Sequence, residues 1–217
     1  MMPRLYAIVD AQVLAARGFA LEDFARELRA AGVELVQYRD KTGSPREVLR
    51  AAAVLREVSS SPTSQNRDMG HPSATLIMND RADLAVLAGF DGVHVGQGDL
   101  SPEDARRVVS AGRIVGASTH TEEQVRATEL SCADYIAIGP VFATGTKTDT
   151  EPVVGLEGVR RARALTTKPL VAIGGITRAN ARSVIEAGAD SVAVISGLFS
   201  ANESVEQVAR DFLELLG

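Results

Sequence analysis

Eight short apolar runs, each followed by a polar break and then an amphipathic stretch, recur along the chain. They constrain the fold more than any other feature. The runs fall at 5–9, 35–38, 75–78, 92–95, 114–117, 135–138, 170–173 and 191–195. Most are β-branched or otherwise apolar with little alternation, as expected for parallel strands buried on both faces. The first helical stretch opens at Phe19 and runs past Leu28. The second follows Ser44-Pro45 over 46–58, with serine as N-cap and proline at the first helical position. Further stretches cover 81–88, the segment opened by Ser101-Pro102, the segment capped at Thr121, 156–165, 180–187 and 204–215. Ala31-Gly32, Ala88-Gly89, Ala111-Gly112 and Ala187-Gly188 fit left-handed helix ends. Eight strand–helix units in 217 residues predict one α/β domain over 1–217, a (β/α)8 TIM barrel. An open doubly wound sheet is the runner-up, and no Gly-x-Gly-x-x-Gly follows the first strand. Only 59–73 breaks the rhythm; it reads as a polar, mobile loop inserted before the third strand, on the face opposite the active site.

Hydrophobic residues make up 45% and charged residues 24%, and the net charge is −5. A mildly acidic chain is a poor nucleic-acid binder, and no apolar run is long enough to span a membrane. The lone Cys132 excludes a disulfide framework and a cysteine-rich zinc site; it reads as a half-buried structural thiol. A cytoplasmic protein is expected. The oligomeric state is left open, with a homodimer as one option.

In a barrel of this kind the site lies at the C-terminal ends of the strands. Strand two ends in Gln37-Tyr38-Arg39-Asp40-Lys41, where alternation sends Gln37 and Arg39 to one side. Arg39 and Lys41 could hold a phosphate or form a rim salt bridge. Strands three and four end in Asn79-Asp80-Arg81 and in His94 to Asp99. Asp80 could cap the next helix; paired with Asp99 beside phosphates it suits Mg2+, which needs only one or two carboxylates. Strand five gives Ser118-Thr119-His120, with Ser118 facing the mouth and His120 either an acid/base or a rim residue. His94 is expected in the site wall and His71 in the polar insertion. After strand six comes Gly139-Pro140-Val141-Phe142-Ala143-Thr144-Gly145-Thr146-Lys147, an anion-gripping loop or a plain Thr/Gly turn, whose continuation to Gly155 is long enough for a lid. Glycines after strands seven and eight, Gly174-Gly175 and Gly197, match a phosphate site closed by a short helix N-terminus, or else relieve crowding at the rim. Arg160, Arg161 and Arg163 read as a solvated helix face.

Taken together, these strand-end residues resemble the thiamine-phosphate synthase family along essentially the whole chain. The family's Gln-x-Arg-x-Lys stands at Gln37 to Lys41, its Asn-Asp-Arg at Asn79 to Arg81, its His-x-Gly-Gln-x-Asp at His94 to Asp99 and its Gly-Pro-x-Phe-x-Thr-x-Thr-Lys at Gly139 to Lys147. Ala-Ile-Gly-Gly-Ile follows at Ala172 to Ile176, and Ile195-Ser196 closes the set. The resemblance implies that a hydroxymethylpyrimidine diphosphate and a thiazole phosphate are joined with loss of diphosphate. It implies Mg2+ on Asp80 and Asp99. Gln37, Arg39, Lys41, Asn79, Ser118 and Lys147 would meet the pyrimidine diphosphate, with Tyr38 and Asp40 in the same binding loop. Thr144, Gly145, Thr146, Gly175, Ile195 and Ser196 would hold the thiazole phosphate. Arg39, Lys41, Ser118 and Lys147 form the implied catalytic set. Ala143 and Gly145 depart from the family's loop and should alter its mobility more than its chemistry. The rival within the superfamily is a thiazole tautomerase using His120 as acid/base. A phosphosugar isomerase or lyase would want a strand-end lysine or glutamate base, and a non-catalytic protein would bind thiamine phosphate without turnover.

Overall fold

The computed structural model describes residues 2–60, 73–145 and 152–217. Eight parallel strands close into a barrel in sequence order: β1 (Leu5–Asp10), β2 (Leu35–Arg39), β3 (Thr75–Asn79), β4 (Gly92–Val95), β5 (Ile114–Thr119), β6 (Tyr135–Ile138), β7 (Leu170–Ile173) and β8 (Ser191–Val194), with β8 paired back to β1. Around them lie α1 (Ala11–Arg17), α2 (Leu21–Ala31), α3 (Pro45–Ser60), α4 (Ala82–Ala88), α5 (Pro102–Val109), α6 (Glu122–Glu129), α7 (Gly155–Leu165), α8 (Ala181–Glu186) and α9 (Val205–Leu216). The expected TIM barrel is the observed fold. No helix among the described residues is long and apolar enough to cross a membrane.

Two apolar cores explain the unbroken apolar runs. Leu5, Ala7 and Val9 of β1 pack under the helices, while Tyr6 and Ile8 fill the barrel; with both faces buried, little alternation is left to read. Toward the C-terminal ends the inward residues diverge. On β2 to β5 they are polar, at Gln37, Arg39, Asn79, His94 and Ser118. On β6 to β8 the pocket is lined by apolar Ala137, Val171, Ile173 and Ala193. At the opposite rim Asp91, Asp134 and Asp190 accept the backbone N–H groups that open β3, β5 and β7, at 2.7–2.8 Å. These charge-assisted bonds fix the strand entries.

Several local expectations hold. Ser101 caps α5, Thr121 and Gln124 form a reciprocal capping box on α6, and Gly32 and Gly89 are left-handed helix ends. Others need correction. α1 was not anticipated: Asp10 ends β1 and its carboxylate accepts from Val13 N at 3.0 Å, so the strand turns into a helix with no glycine or proline between them. α2 then begins at Leu21 rather than Phe19. α5 stops at Val109, with Ser110 rather than Gly112 leaving the helix, at φ 68°. Ser59 and Ser60 belong to α3, and most of the polar insertion, His71 included, lies outside the described residues. Cys132 is exposed rather than half-buried. Arg160 and Arg161 pair with Glu157 and Glu122 on the surface, but Arg163 reaches Asp190 and the carbonyls before β7.

One interior glycine is forced by packing. A Cβ on Gly116 would lie 2.0 Å from the Tyr135 ring across the β5–β6 pair. Overfilling a packed core costs roughly 1–3 kcal/mol, and each kcal/mol moves the melting point of a chain this size by about 2–4 °C. Gly116→Ala is therefore expected to lower the melting temperature by roughly 5 °C; no change would mean that the ring shifts aside freely.

Candidate active site

The strand ends open into one pocket at the C-terminal mouth of the barrel, with a cavity volume of about 370 Å3. Ligand pockets commonly hold ~300–1,000 Å3, so this one is of ordinary ligand-site size. Gln37, Arg39, Lys41, Asn79, Asp80, Asp99, Ser118, Thr144, Gly175, Ile195 and Ser196 all line it.

Tyr38 and Asp40 do not. Strand alternation turns Tyr38 outward into the core beneath the helices, with its hydroxyl on Asp40 at 3.3 Å. The Asp40 carboxylate accepts from the backbone N–H groups of Thr42 and Gly43 and from Gln12, at 3.1, 2.8 and 2.8 Å. Asp40 thus builds the turn after β2 instead of facing a ligand. Those hydrogen bonds hold its carboxyl below the ordinary value despite its partial burial. Gly145 is described but lies outside the pocket lining. Thr146 and Lys147 lie outside the described residues, as do 148–151 of the expected lid.

The acidic pair carries the electrostatics of the site. Asp80 has φ 60° and is the middle residue of a tight turn in which Arg81 N donates to Asn79 O at 2.7 Å. Aspartate tolerates this left-handed conformation better than most side chains. The turn explains why Asp80 does not cap α4, whose cap residue is Arg81 with no side-chain bond. Its carboxylate instead meets Lys41 Nζ at 2.5 Å. Asp99 is fixed by Gly96 N at 2.9 Å and lies within hydrogen-bond reach of Asp80. Burial and then the Asp99 carboxylate push the Asp80 carboxyl up, against the pull of Lys41. Two hard oxygen donors that repel each other fit a divalent cation completed by water and phosphate oxygens. Among the described residues no cluster of three or more histidine, cysteine or acidic ligands exists.

Arg39 is tied to Asp10, whose side chain is only 1% exposed. The rim salt bridge considered from the sequence therefore forms, but with Asp10, a partner the sequence reading missed. The signal was present: Asp10 follows the first apolar run directly. His120 lines the pocket and its Nδ1 is 2.6 Å from Gly139 O.

On the other side of the mouth the chain leaving β6 packs onto the end of β7. Val141 and Phe142 donate to Ile173 O and Gly174 O at 2.9 and 3.0 Å, and Val154 returns to Pro140 O at 2.9 Å. A Cβ on Gly175 would meet Ala143 O at 2.7 Å, and one on Gly197 would meet Ile176 O at 2.5 Å. Close packing thus requires glycine at both positions, a requirement that stands beside the phosphate-site expectation and does not decide it. A 3-10 turn, Ser196–Leu198, follows β8 at the pocket wall.

A family model for thiamine monophosphate synthase matches residues 5–198. A thiamine-phosphate synthase of Koribacter versatilis is 52% identical over 217 residues, covering 99% of this chain and 96% of that one. A second, from Methanoculleus marisnigri, is 43% identical over 89% of this chain and 86% of its own. Among solved structures, thiamine phosphate pyrophosphorylase from Pyrococcus furiosus superposes with a TM-score of 0.82 at 31% identity, covering 98% and 95% of the two chains.

Proposed function

The chain belongs to the thiamine monophosphate synthase family and is a transferase that makes thiamine phosphate; we propose that it does so by a dissociative substitution in the barrel-mouth pocket. The substrates are a hydroxymethylpyrimidine diphosphate and a thiazole phosphate. One observation carries the reading: Arg39, Lys41, Asp80 and Asp99 line a single pocket, so cationic side chains and a metal-type carboxylate pair can meet one diphosphate.

Asp80 and Asp99 would hold Mg2+, which supplies charge neutralisation to the leaving diphosphate. Arg39 and Lys41, with Lys147 from the loop after β6, stabilise the charge as it builds on that group, more than they stabilise the bound reactant. The C–O bond breaks with its electron pair going to diphosphate, and the electron-rich aminopyrimidine bears the resulting benzylic-type cation. The thiazole nitrogen then donates its lone pair to the methylene carbon. No protein nucleophile is needed. Gln37 and Asn79 hold the pyrimidine half and Ser118 donates to it. Thr144 and Thr146 of the loop, with Gly175, Ile195 and Ser196, anchor the thiazole phosphate, while Gly145 shapes the loop, so that the second step becomes a matter of positioning. Tyr38 and Asp40 serve the loop after β2 and leave the substrate-binding set. A cytoplasmic setting suits phosphorylated substrates and a single thiol.

The test is to incubate the protein with both phosphorylated halves and Mg2+ and to follow diphosphate and thiamine phosphate together. Stoichiometric appearance of both is expected. Isomerisation of the thiazole without joining would mean the tautomerase, and binding of thiamine phosphate without turnover would mean a non-catalytic role.

A further inference from the structure

We propose that Tyr6, Tyr135 and His94 form a polarised hydrogen-bond chain that fixes the Ser118 hydroxyl as a donor into the pocket, an inference that rests on reading the pocket as the diphosphate site. The chain runs inside the barrel below the mouth. Gln37 Nε2 donates to Tyr6 Oη at 2.9 Å, Tyr6 Oη meets Tyr135 Oη at 3.0 Å, Tyr135 Oη meets His94 Nδ1 at 2.8 Å, and His94 Nε2 meets Ser118 Oγ at 2.8 Å. The rings are held tightly: Tyr135 packs edge-on against Tyr6 and stacked on His94, in the space that Gly116 leaves.

Proton counting gives the chain a direction. Burial pushes both phenols up, so each keeps its single proton and must place it, because a buried unsatisfied donor is costly. Tyr6 already accepts from Gln37, an amide N–H that can only donate. Its own proton therefore goes to Tyr135. Tyr135, accepting from Tyr6, gives its proton to His94 Nδ1. A histidine that accepts at Nδ1 carries its proton on Nε2, and that N–H points at Ser118 Oγ. Ser118 is then an acceptor toward His94, and its own hydrogen is directed away, into the pocket that it lines. Turning the Gln37 amide over would reverse every link and make Ser118 a donor to His94 instead. The three ring residues are thus positioning residues that act through Ser118.

The test has two readouts. In 15N-labelled, substrate-free protein, the His94 signals (identified by their loss in His94→Gln) are expected to report the Nε2–H tautomer. Tyr135→Phe keeps the ring and removes the donor at Nδ1. It is expected to lower kcat about three- to tenfold, the usual scale for one lost hydrogen bond. In a Ser118→Ala background the same change should alter kcat less than about twofold, because residues that act as a unit are non-additive. A dominant Nδ1–H tautomer, or an equal loss in both backgrounds, overturns the proposal. The tautomer is read without turnover, so an inactive protein with Nε2–H His94 would sink the synthase reading of the pocket and leave the chain's polarity standing.

Discussion

Asp80→Asn is expected to cut turnover by roughly a hundredfold or more, the scale seen when one preorganised electrostatic contact to a transition state is lost, and to raise the Mg2+ concentration needed for half-maximal rate by at least tenfold. The fold should not suffer. Burial and the neighbouring Asp99 push the Asp80 carboxyl up from its ordinary value of 3.8. A carboxyl whose pKa rises on folding binds protons more readily in the folded state, so stability falls as pH climbs from 3.8 through the raised folded value. At neutral pH the ionised Asp80 is therefore held at a cost, and the metal-free asparagine variant should melt at the same temperature as the parent or slightly higher. The gap should close at low pH, where the parent Asp80 is protonated. Measuring turnover against Mg2+, with melting curves in chelator at both pH values, checks all of this. Full activity at unchanged Mg2+ would remove Asp80 from the metal role. A clear loss of stability at neutral pH would recast it as a structural partner of Lys41.

The second large effect falls on stability and rate together. Arg39→Ala strips the partner from Asp10, which is 1% exposed and also caps α1. Leaving one member of a buried ion pair uncompensated costs about 3–5 kcal/mol. At about 2–4 °C per kcal/mol the melting temperature should drop by roughly 10 °C, and turnover should fall at least tenfold through loss of a cation facing the leaving group. The two losses can be separated. Asp10→Asn together with Arg39→Gln removes both charges and keeps a capping oxygen at the helix start; it should regain most of the stability and none of the turnover. If the double variant recovers activity, Arg39 serves the fold and not the reaction.

How far the site was legible depended on where each side chain's partners lie in sequence. Ser101 and Thr121 were read correctly as caps because a cap bonds only a few residues away. Gln37 and Arg39 were read as sharing a face because strand alternation is local. Tyr38 and Asp40 came into the binding set with their motif, although alternation already turns Tyr38 outward and Asp40 spends its oxygens on Thr42, Gly43 and Gln12. Asp10 has a local role as the cap of α1, legible in principle from its place after the first apolar run, and a distant one on Arg39, 29 residues on, which no local pattern shows. The left-handed Asp80 could not be seen at all, since aspartate does not require that conformation.

The periodicity of apolar runs determined by itself that the chain is built of eight strand–helix units, because burial on both faces of a strand leaves a mark on every residue of that strand, whereas closure rests on the pairing of β8 with β1. The order of motifs likewise placed the polar residues at strand ends. Only the closed barrel decided which of them meet. Bringing Lys41 onto Asp80, Asp99 beside Asp80, and Gln37 to Ser118 through two tyrosines and a histidine depends on angles and distances between different strands, which no local pattern encodes.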